Sequence, residues 1–229
     1  MPFRFDDVVM VAKESERLPM TVRWFVQLGI RKLDRWIRQS SAPGGSFRTK
    51  ARSRFRTLAG CALWPRSPVL RWHLAGYLLP GVALYQGLRE AGWPTEQAAG
   101  AVGSALESDT QPRRQRFERY GRRRGFFTAF AIMIRPLTRL VYPSPGWQVE
   151  WLETSRHRIA FDITGCFYLD TLTHLGAQEL TPVYCRVDDI LYDGVSPELT
   201  WRRTTMLATG GERCDFRFER LRREDQALL

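Results

Sequence analysis

From Met20 to Gln39 the apolar residues Val22, Phe25, Val26, Ile30, Leu33, Trp36 and Ile37 recur every three to four positions, with Gly29 on the same stripe. That spacing paints one face of a helix and predicts a helix over the whole stretch. The Ser-Ala-Pro-Gly-Gly-Ser run at 41–46 ends it. After Trp64-Pro65 a long apolar helix is expected from Val69 to Ala91, bent at Pro80-Gly81 because a proline inside a helix removes one hydrogen bond. Thr95 suits a helix N-cap and predicts an alanine-rich helix through Leu106. Two apolar stretches, Trp72 to Leu88 and Phe126 to Ile134, are too polar or too short for the roughly 20 residues of a membrane span. Buried helices are the expectation for both, with a helix lying on a membrane surface as the alternative.

Near Pro143-Ser-Pro-Gly-Trp147 the period changes from helical to strand-like. Trp147 to Glu153 alternates, a Thr-Ser-Arg turn follows, and His157 to Ile163 sets Ile159, Phe161 and Ile163 against Arg158, Ala160 and Asp162. A second hairpin is expected from Leu199 to Ala208 and Arg213 to Arg220 around a tight Gly210-Gly211 turn. A two-residue turn puts Leu207 opposite Cys214, Thr205 opposite Phe216 and Arg203 opposite Phe218. Asp215 and Arg217 then fall on the other face, as a surface ion pair. Between the hairpins lie two expected helices, Cys166 to Leu175 and Pro182 to Leu191. The order β-β-α-α-β-β predicts an α+β fold, a helical N-terminal part packed on a four-stranded antiparallel sheet.

Composition adds size and an uneven charge. At 229 residues and 44% hydrophobic content the chain can bury a sizeable core, which excludes disorder throughout. Through residue 146 there are 25 Lys and Arg against 10 Asp and Glu, and beyond it 10 against 14. The chain therefore reads as a basic, mainly helical region at 1–146 and an α+β region at 147–229 that carries the chemistry. The densest basic stretch is 111–125, and Arg48, Lys50, Arg52, Arg54 and Arg56 form a second cluster. The segment Arg113 to Arg124 can hold phosphate on a membrane or a nucleic acid. Solvated helix faces are the heavier reading, because no zinc finger, helix-turn-helix or RNA-binding signature accompanies the charge. Four dispersed cysteines and an acidic start without a secretory pattern point to reduced thiols in the cytoplasm.

Three cysteines lie in the last third, each with a carboxylate within four positions: Cys166 with Asp162, Cys185 with Asp188, Cys214 with Asp215. Cys166 is expected in the first turn of a helix, where backbone N–H groups stabilise a thiolate, and is the nucleophile candidate, with Asp162 beside it. Cys185, Asp188 and Asp189 share a helix stripe and can face one cavity. Cys214 alternates with Phe216 and Phe218, as a core thiol or a site residue. Cys61, among Leu58, Ala59 and Leu63, is expected in the core. Alternatively Cys166, Cys185 and Cys214 hold zinc, although no C-x-x-C pair is present. His73, His157 and His174 lack ligand spacing, and no glycine-rich phosphate loop, G-x-S-x-G or H-E-x-x-H occurs.

In pattern and order the chain resembles the L-2-amino-thiazoline-4-carboxylic acid hydrolase family over roughly residues 70–220. The segments that carry the likeness are L-L-P-G-V-A-L-Y-Q-G-L-R-E-A-G-W at 78–93, P-G-W at 145–147, D-I-T-G-C-F-Y at 162–168, G-A-Q-E-L at 176–180, C-R-V-D-D at 185–189, R-T-T-M-L-A-T-G-G at 203–211 and C-D-F-R-F at 214–218. The resemblance implies a soluble bacterial hydrolase acting on C–N bonds in cyclic amidines, taking 2-aminothiazoline-4-carboxylate to N-carbamoyl-cysteine; no cofactor is expected unless the cysteines hold zinc. On that reading Cys166 attacks the ring carbon, Asp162 or Asp188 moves protons, and Arg203, with Thr205 and Cys214 on its strand face, binds the substrate. An internal ion pair of Arg203 with Asp162 or Asp188 is the competing role for that arginine. A metal-dependent hydrolase and a non-catalytic ligand-binding module with a basic docking face are the other two readings.

Overall fold

A computed structural model describes residues 8–9, 20–40 and 45–221. Its elements in chain order are β1 (Val8–Val9), α1 (Met20–Gln39), α2 (Gly45–Cys61), β2 (Trp64–Pro65), α3 (Pro68–His73), α4 (Leu79–Glu90), α5 (Thr95–Gly121) and α6 (Phe126–Val141). Then follow β3 (Trp147–Thr154), β4 (Arg158–Cys166), α7 (Phe167–His174), α8 (Thr181–Tyr192), β5 (Leu199–Arg202) and β6 (Cys214–Arg220). The α+β order read from the pattern is therefore present. The chain forms two compact units, one of 1–106 with 168–184 and one of 107–167 with 185–229.

In the first unit α1 has the expected bounds, and its stripe Val22, Val26, Gly29, Ile30, Leu33, Trp36 and Ile37 is buried. Gly29 is required by a close approach: a Cβ there would run into the Phe55 ring and the Ala75 carbonyl. Asp34 on the same helix is buried and takes Arg48 and Arg52 of α2, so part of the second basic cluster is structural. The expected loop at 41–46 lies partly outside the described residues, and α2 starts at Gly45. Cys61, expected in the core, ends α2 in an exposed position.

The long apolar helix is broken differently from expectation. A single wide turn at Leu74–Leu78 separates α3 from α4, and Pro80 falls in the first turn of α4, where a missing N–H costs no hydrogen bond. The Tyr77 carbonyl accepts the Tyr184 hydroxyl at 2.9 Å, and Gly81 leaves room for that hydroxyl. The alanine-rich helix also does not stop at Leu106. It continues as α5 to Gly121, with Pro112 inside it, so much of the arginine-rich stretch is helical.

The second unit is organised by the sheet, with strand order β3-β4-β6-β5 and every neighbour antiparallel. Opposed residues share a face, so the register sorts side chains. Phe161 faces Trp151 and Phe216, Ile163 faces Val149 and Cys214, and Trp201 faces Phe218. This face is covered by α6 and by the Cys185–Tyr192 part of α8, through Phe130 on Phe218 and Tyr192 on both Trp201 and Phe218. The Glu198 carboxylate accepts the Gly125 and Phe127 N–H groups and so caps the start of α6. Arg114 does the reciprocal job at the end of α8, donating to the carbonyls of Ile190 and Asp193.

Two local features change the expected register. Gln148 opposes Gly165 but Val149 opposes Ile163, which leaves Thr164 as an extra residue in β4. The bulge turns Cys166, opposite Trp147, onto the aromatic face. The tight Gly210-Gly211 hairpin is not formed either. β5 ends at Arg202, opposite Arg217, and pairing is offset by two residues from expectation, so Trp201 rather than Arg203 opposes Phe218. Only Gly210 has a positive φ, 86°, after a short turn at Leu207–Thr209, and Gly211 packs too close to the Thr205 hydroxyl for any side chain.

Candidate active site

Arg203 leaves the end of β5 and turns its guanidinium beneath α8, where its side chain is only 3% exposed. One nitrogen donates to Asp188 Oδ2 at 3.2 Å, the other to both Asp189 oxygens at 2.9 and 2.8 Å and to the Cys185 carbonyl at 3.0 Å. Of the two roles expected for Arg203, the buried ion pair is present, with Asp188 as one of the two expected partners and Asp189 beside it. Its planar fork lies near the Trp201 and Phe216 rings, each 5.7 Å from centroid to guanidinium carbon.

Asp188 sits between this cation and a phenol. Tyr142 donates to its Oδ1 at 2.9 Å, and 16% of the Asp188 side chain is exposed. Burial pushes its carboxyl up to about 6, against the lowering pull of Arg203 and the Tyr142 hydrogen bond, with Asp189 adding to the rise. A carboxyl with that acidity exchanges protons near neutral pH. Asp189, by contrast, is 46% exposed and also accepts the Trp201 indole N–H at 3.2 Å.

The three C-terminal cysteines are free thiols, and the charges of Cys166 and Cys214 act on Cys185. Burial pushes the Cys185 thiol well up, and the charges of Asp188, Cys166 and Cys214 raise it further against the pull of Arg203. Cys214 is buried, and burial raises its thiol too, although its sulfur accepts the Leu207 N–H at 3.3 Å. Cys166 is half-exposed at the last position of β4, one residue ahead of α7 rather than in the helix's first turn as expected. Trp147 opposite it packs on both Tyr142 and Phe167.

Asp162 does not join this group. It opposes Asp215 and Glu150 on the other face of the sheet, paired with Arg217 at 2.7 Å and Arg213 at 3.3 Å. The bulge at Thr164 is what separates it from Cys166. Asp215 is no surface partner of Arg217 as expected, but buried. Its carboxylate accepts the Thr204 and Thr205 N–H groups at 2.8 and 2.7 Å and the Thr204 hydroxyl at 2.8 Å. Burial works against its charge, but these hydrogen bonds and Arg217 win, holding it below its ordinary value. Thr205 is consequently a fixed part of this loop, its carbonyl taking the Asp215 N–H at 3.3 Å. Tyr142 is the residue that sequence reasoning missed; its position two residues after Leu140 and five before Trp147 carries no motif, and only the fold brings it to Asp188.

A sequence profile matches residues 73–218, that of L-2-amino-thiazoline-4-carboxylic acid hydrolase. The chain belongs to that family. Its description is that of a hydrolase. Comparison with curated proteins and with solved structures returns no match. The matched span also takes in the first unit, where the segments at 78–93 and 176–180 meet: the Tyr85 hydroxyl donates to Glu179 at 2.5 Å, and next to it Gln86 donates to the Leu175 carbonyl at 3.3 Å. Among the described residues no three His, Cys, Asp or Glu side chains are arranged to hold a metal ion.

Proposed function

We propose that the chain hydrolyses a cyclic amidine of the 2-aminothiazoline-4-carboxylate type, with the Cys166 thiolate attacking the amidine carbon and Asp188 moving protons. The observation that carries this reading is Asp188, buried between the Arg203 guanidinium and the Tyr142 hydroxyl and acting on the Cys185 thiol, with its carboxyl raised to about 6. Cys185 and Cys214 are pushed toward the neutral thiol by burial, which leaves Cys166, half-exposed at a strand-to-helix junction, as the attacking sulfur.

The balance of atoms fixes which bond breaks. An N-carbamoyl product keeps the ring nitrogen on the carbonyl carbon, so the ring opens at its C–S bond and not at the C–N bond expected from the resemblance. Asp188, ionised at neutral pH, takes the Cys166 proton. Addition of the thiolate to the amidine carbon is followed by departure of the ring sulfur, which receives that proton. An enzyme-bound isothiourea remains. Water, deprotonated by Asp188, adds to its carbon, and expulsion of the Cys166 sulfur with a returning proton releases the urea.

The test is incubation of purified protein with 2-aminothiazoline-4-carboxylate, following N-carbamoyl-cysteine by mass spectrometry and the new thiol by a disulfide reagent. Cys166→Ala is expected to abolish turnover, whereas Cys185→Ala and Cys214→Ala retain part of it. Substantial turnover in Cys166→Ala removes the nucleophile assignment, and no turnover of any cyclic amidine by the unmodified protein removes the reaction itself.

A further inference from the structure

Helix α6 is apolar over more of its circumference than the fold buries. Phe126, Phe127, Phe130 and Ile134 are buried. At 100° per residue, Ala129, Ile132, Met133, Pro136, Leu137 and Leu140 occupy an arc of about 140° that runs up to the buried one and meets it at Phe126. All six are exposed, Ile132 by 70% and Leu140 by 64%. Leu152 on β3 is exposed as well. A large open apolar face of this kind on a folded protein marks a surface that meets something else.

Along the chain, the charge flanking this helix is of one sign. From Arg119 to Val149 there are six arginines and no Asp or Glu. Arg122, Arg123 and Arg124 are exposed just ahead of the helix, and Arg139 is exposed on its remaining polar stripe with Thr128 and Arg135. Arg135 leans toward β3, over the Trp151 ring at 4.8 Å. The fold uses Arg114 to cap α8, Arg135 to reach the Thr154 hydroxyl at 3.0 Å, and Arg123 over the Tyr120 ring at 5.0 Å, while Arg122, Arg124 and Arg139 are exposed. Among the described residues no helix is long and apolar enough to cross a membrane. An apolar helix face bordered by arginines fits a helix lying in a lipid interface, with its cations at anionic headgroups.

We propose that α6 docks this protein on an anionic bilayer surface, its Ile132–Leu140 face entering the headgroup boundary and Arg122–Arg124 and Arg139 contacting lipid phosphates. This inference is independent of the hydrolase reading and uses none of its residues.

The test is cosedimentation of the full chain with vesicles of equal parts phosphatidylglycerol and phosphatidylcholine, and with phosphatidylcholine alone. Binding to the mixed vesicles only is expected. Ile132→Ser with Leu140→Ser should weaken it at least about tenfold, given the apolar area two such side chains bury, without changing circular dichroism or thermal unfolding, because both side chains are already exposed. Replacing Arg122, Arg123 and Arg124 together by Gln should remove the preference for the anionic lipid. Equal binding to both vesicles, binding to neither, or tighter binding to a DNA duplex overturns the proposal. So does a dimer in solution that the Ser variant dissociates, since the apolar face would then belong to a second copy.

Discussion

Asp34 in the first unit and Asp188 in the second are both held by arginine, yet their acidities move in opposite directions. Asp34 has two guanidiniums to itself, Arg52 on both oxygens and Arg48 on one. Arg52 first, and Arg48 after it, bring its carboxyl down to about 2 against the effect of burial. Asp188 shares a single guanidinium with Asp189, and that guanidinium is itself nearly sealed from water. Burial wins there and the carboxyl rises to about 6. A salt bridge thus says little about acidity until the ratio of positive to negative groups and the access of water are known. One cluster fastens two helices, and the other keeps a proton within reach of neutral pH.

The largest effect should come from removing the shared cation. Arg203→Met strands two carboxylates, one of them buried, and should cost roughly 3–5 kcal/mol in urea unfolding. Arg203→Lys should recover less than half of that, because an ammonium lacks the planar fork. A loss below about 1 kcal/mol in the Met variant would mean that water screens the cluster as it does a surface pair.

Acid titration sharpens the contrast. The folded pKa of Asp188 lies above the ordinary 3.8, so between pH 4 and 6 the folded protein holds a proton that the unfolded chain has released. Stability from this group therefore grows as pH falls through about 6 and is complete below about 4, amounting to roughly 2–3 kcal/mol. Asp188→Asn should lose this gain, measured as the difference in unfolding free energy between pH 7 and pH 4. Asp34 has the reverse sign: its contribution is present above its ordinary value and fades as pH falls toward about 2. Asp34→Asn should cost about 2 kcal/mol at neutral pH, between a surface and a buried pair. Arg48→Gln is expected to be the mildest change, within about 1 kcal/mol in the same assay, since that side chain is 43% exposed and Arg52 remains.

Much of this arrangement is legible in the sequence. The stripe of α1, the switch at Trp147, the alternation of Phe161 and Ile163 and the run Cys185-Asp188-Asp189 all express periods that a strand or helix imposes locally. Errors arose where a side chain from elsewhere outcompeted a local preference. Gly210-Gly211 suits a tight turn, but the Asp215 carboxylate captures the Thr204 and Thr205 N–H groups, drawing the chain off the ladder after Arg202. At Thr164 the bulge leaves no pattern of its own. Gly165 beside it is a hint, since a Cβ there would crowd the Gln148 side chain to 3.1 Å. Pro80 marked a break correctly but not its form, because a wide turn just before it absorbs the missing hydrogen bond.

The residue order alone determined the helix and strand periods, the β-β-α-α-β-β succession, the position of three cysteines near carboxylates and the excess of arginine before residue 147. Tertiary structure decided that Cys166 turns away from Asp162, that Arg203 meets Asp188 and Asp189, that Tyr142 reaches Asp188, and which face of α6 stays open. The reason is one of range. Periodicity is a property of a few consecutive residues, whereas acidity and exposure depend on which distant groups displace water around a given atom.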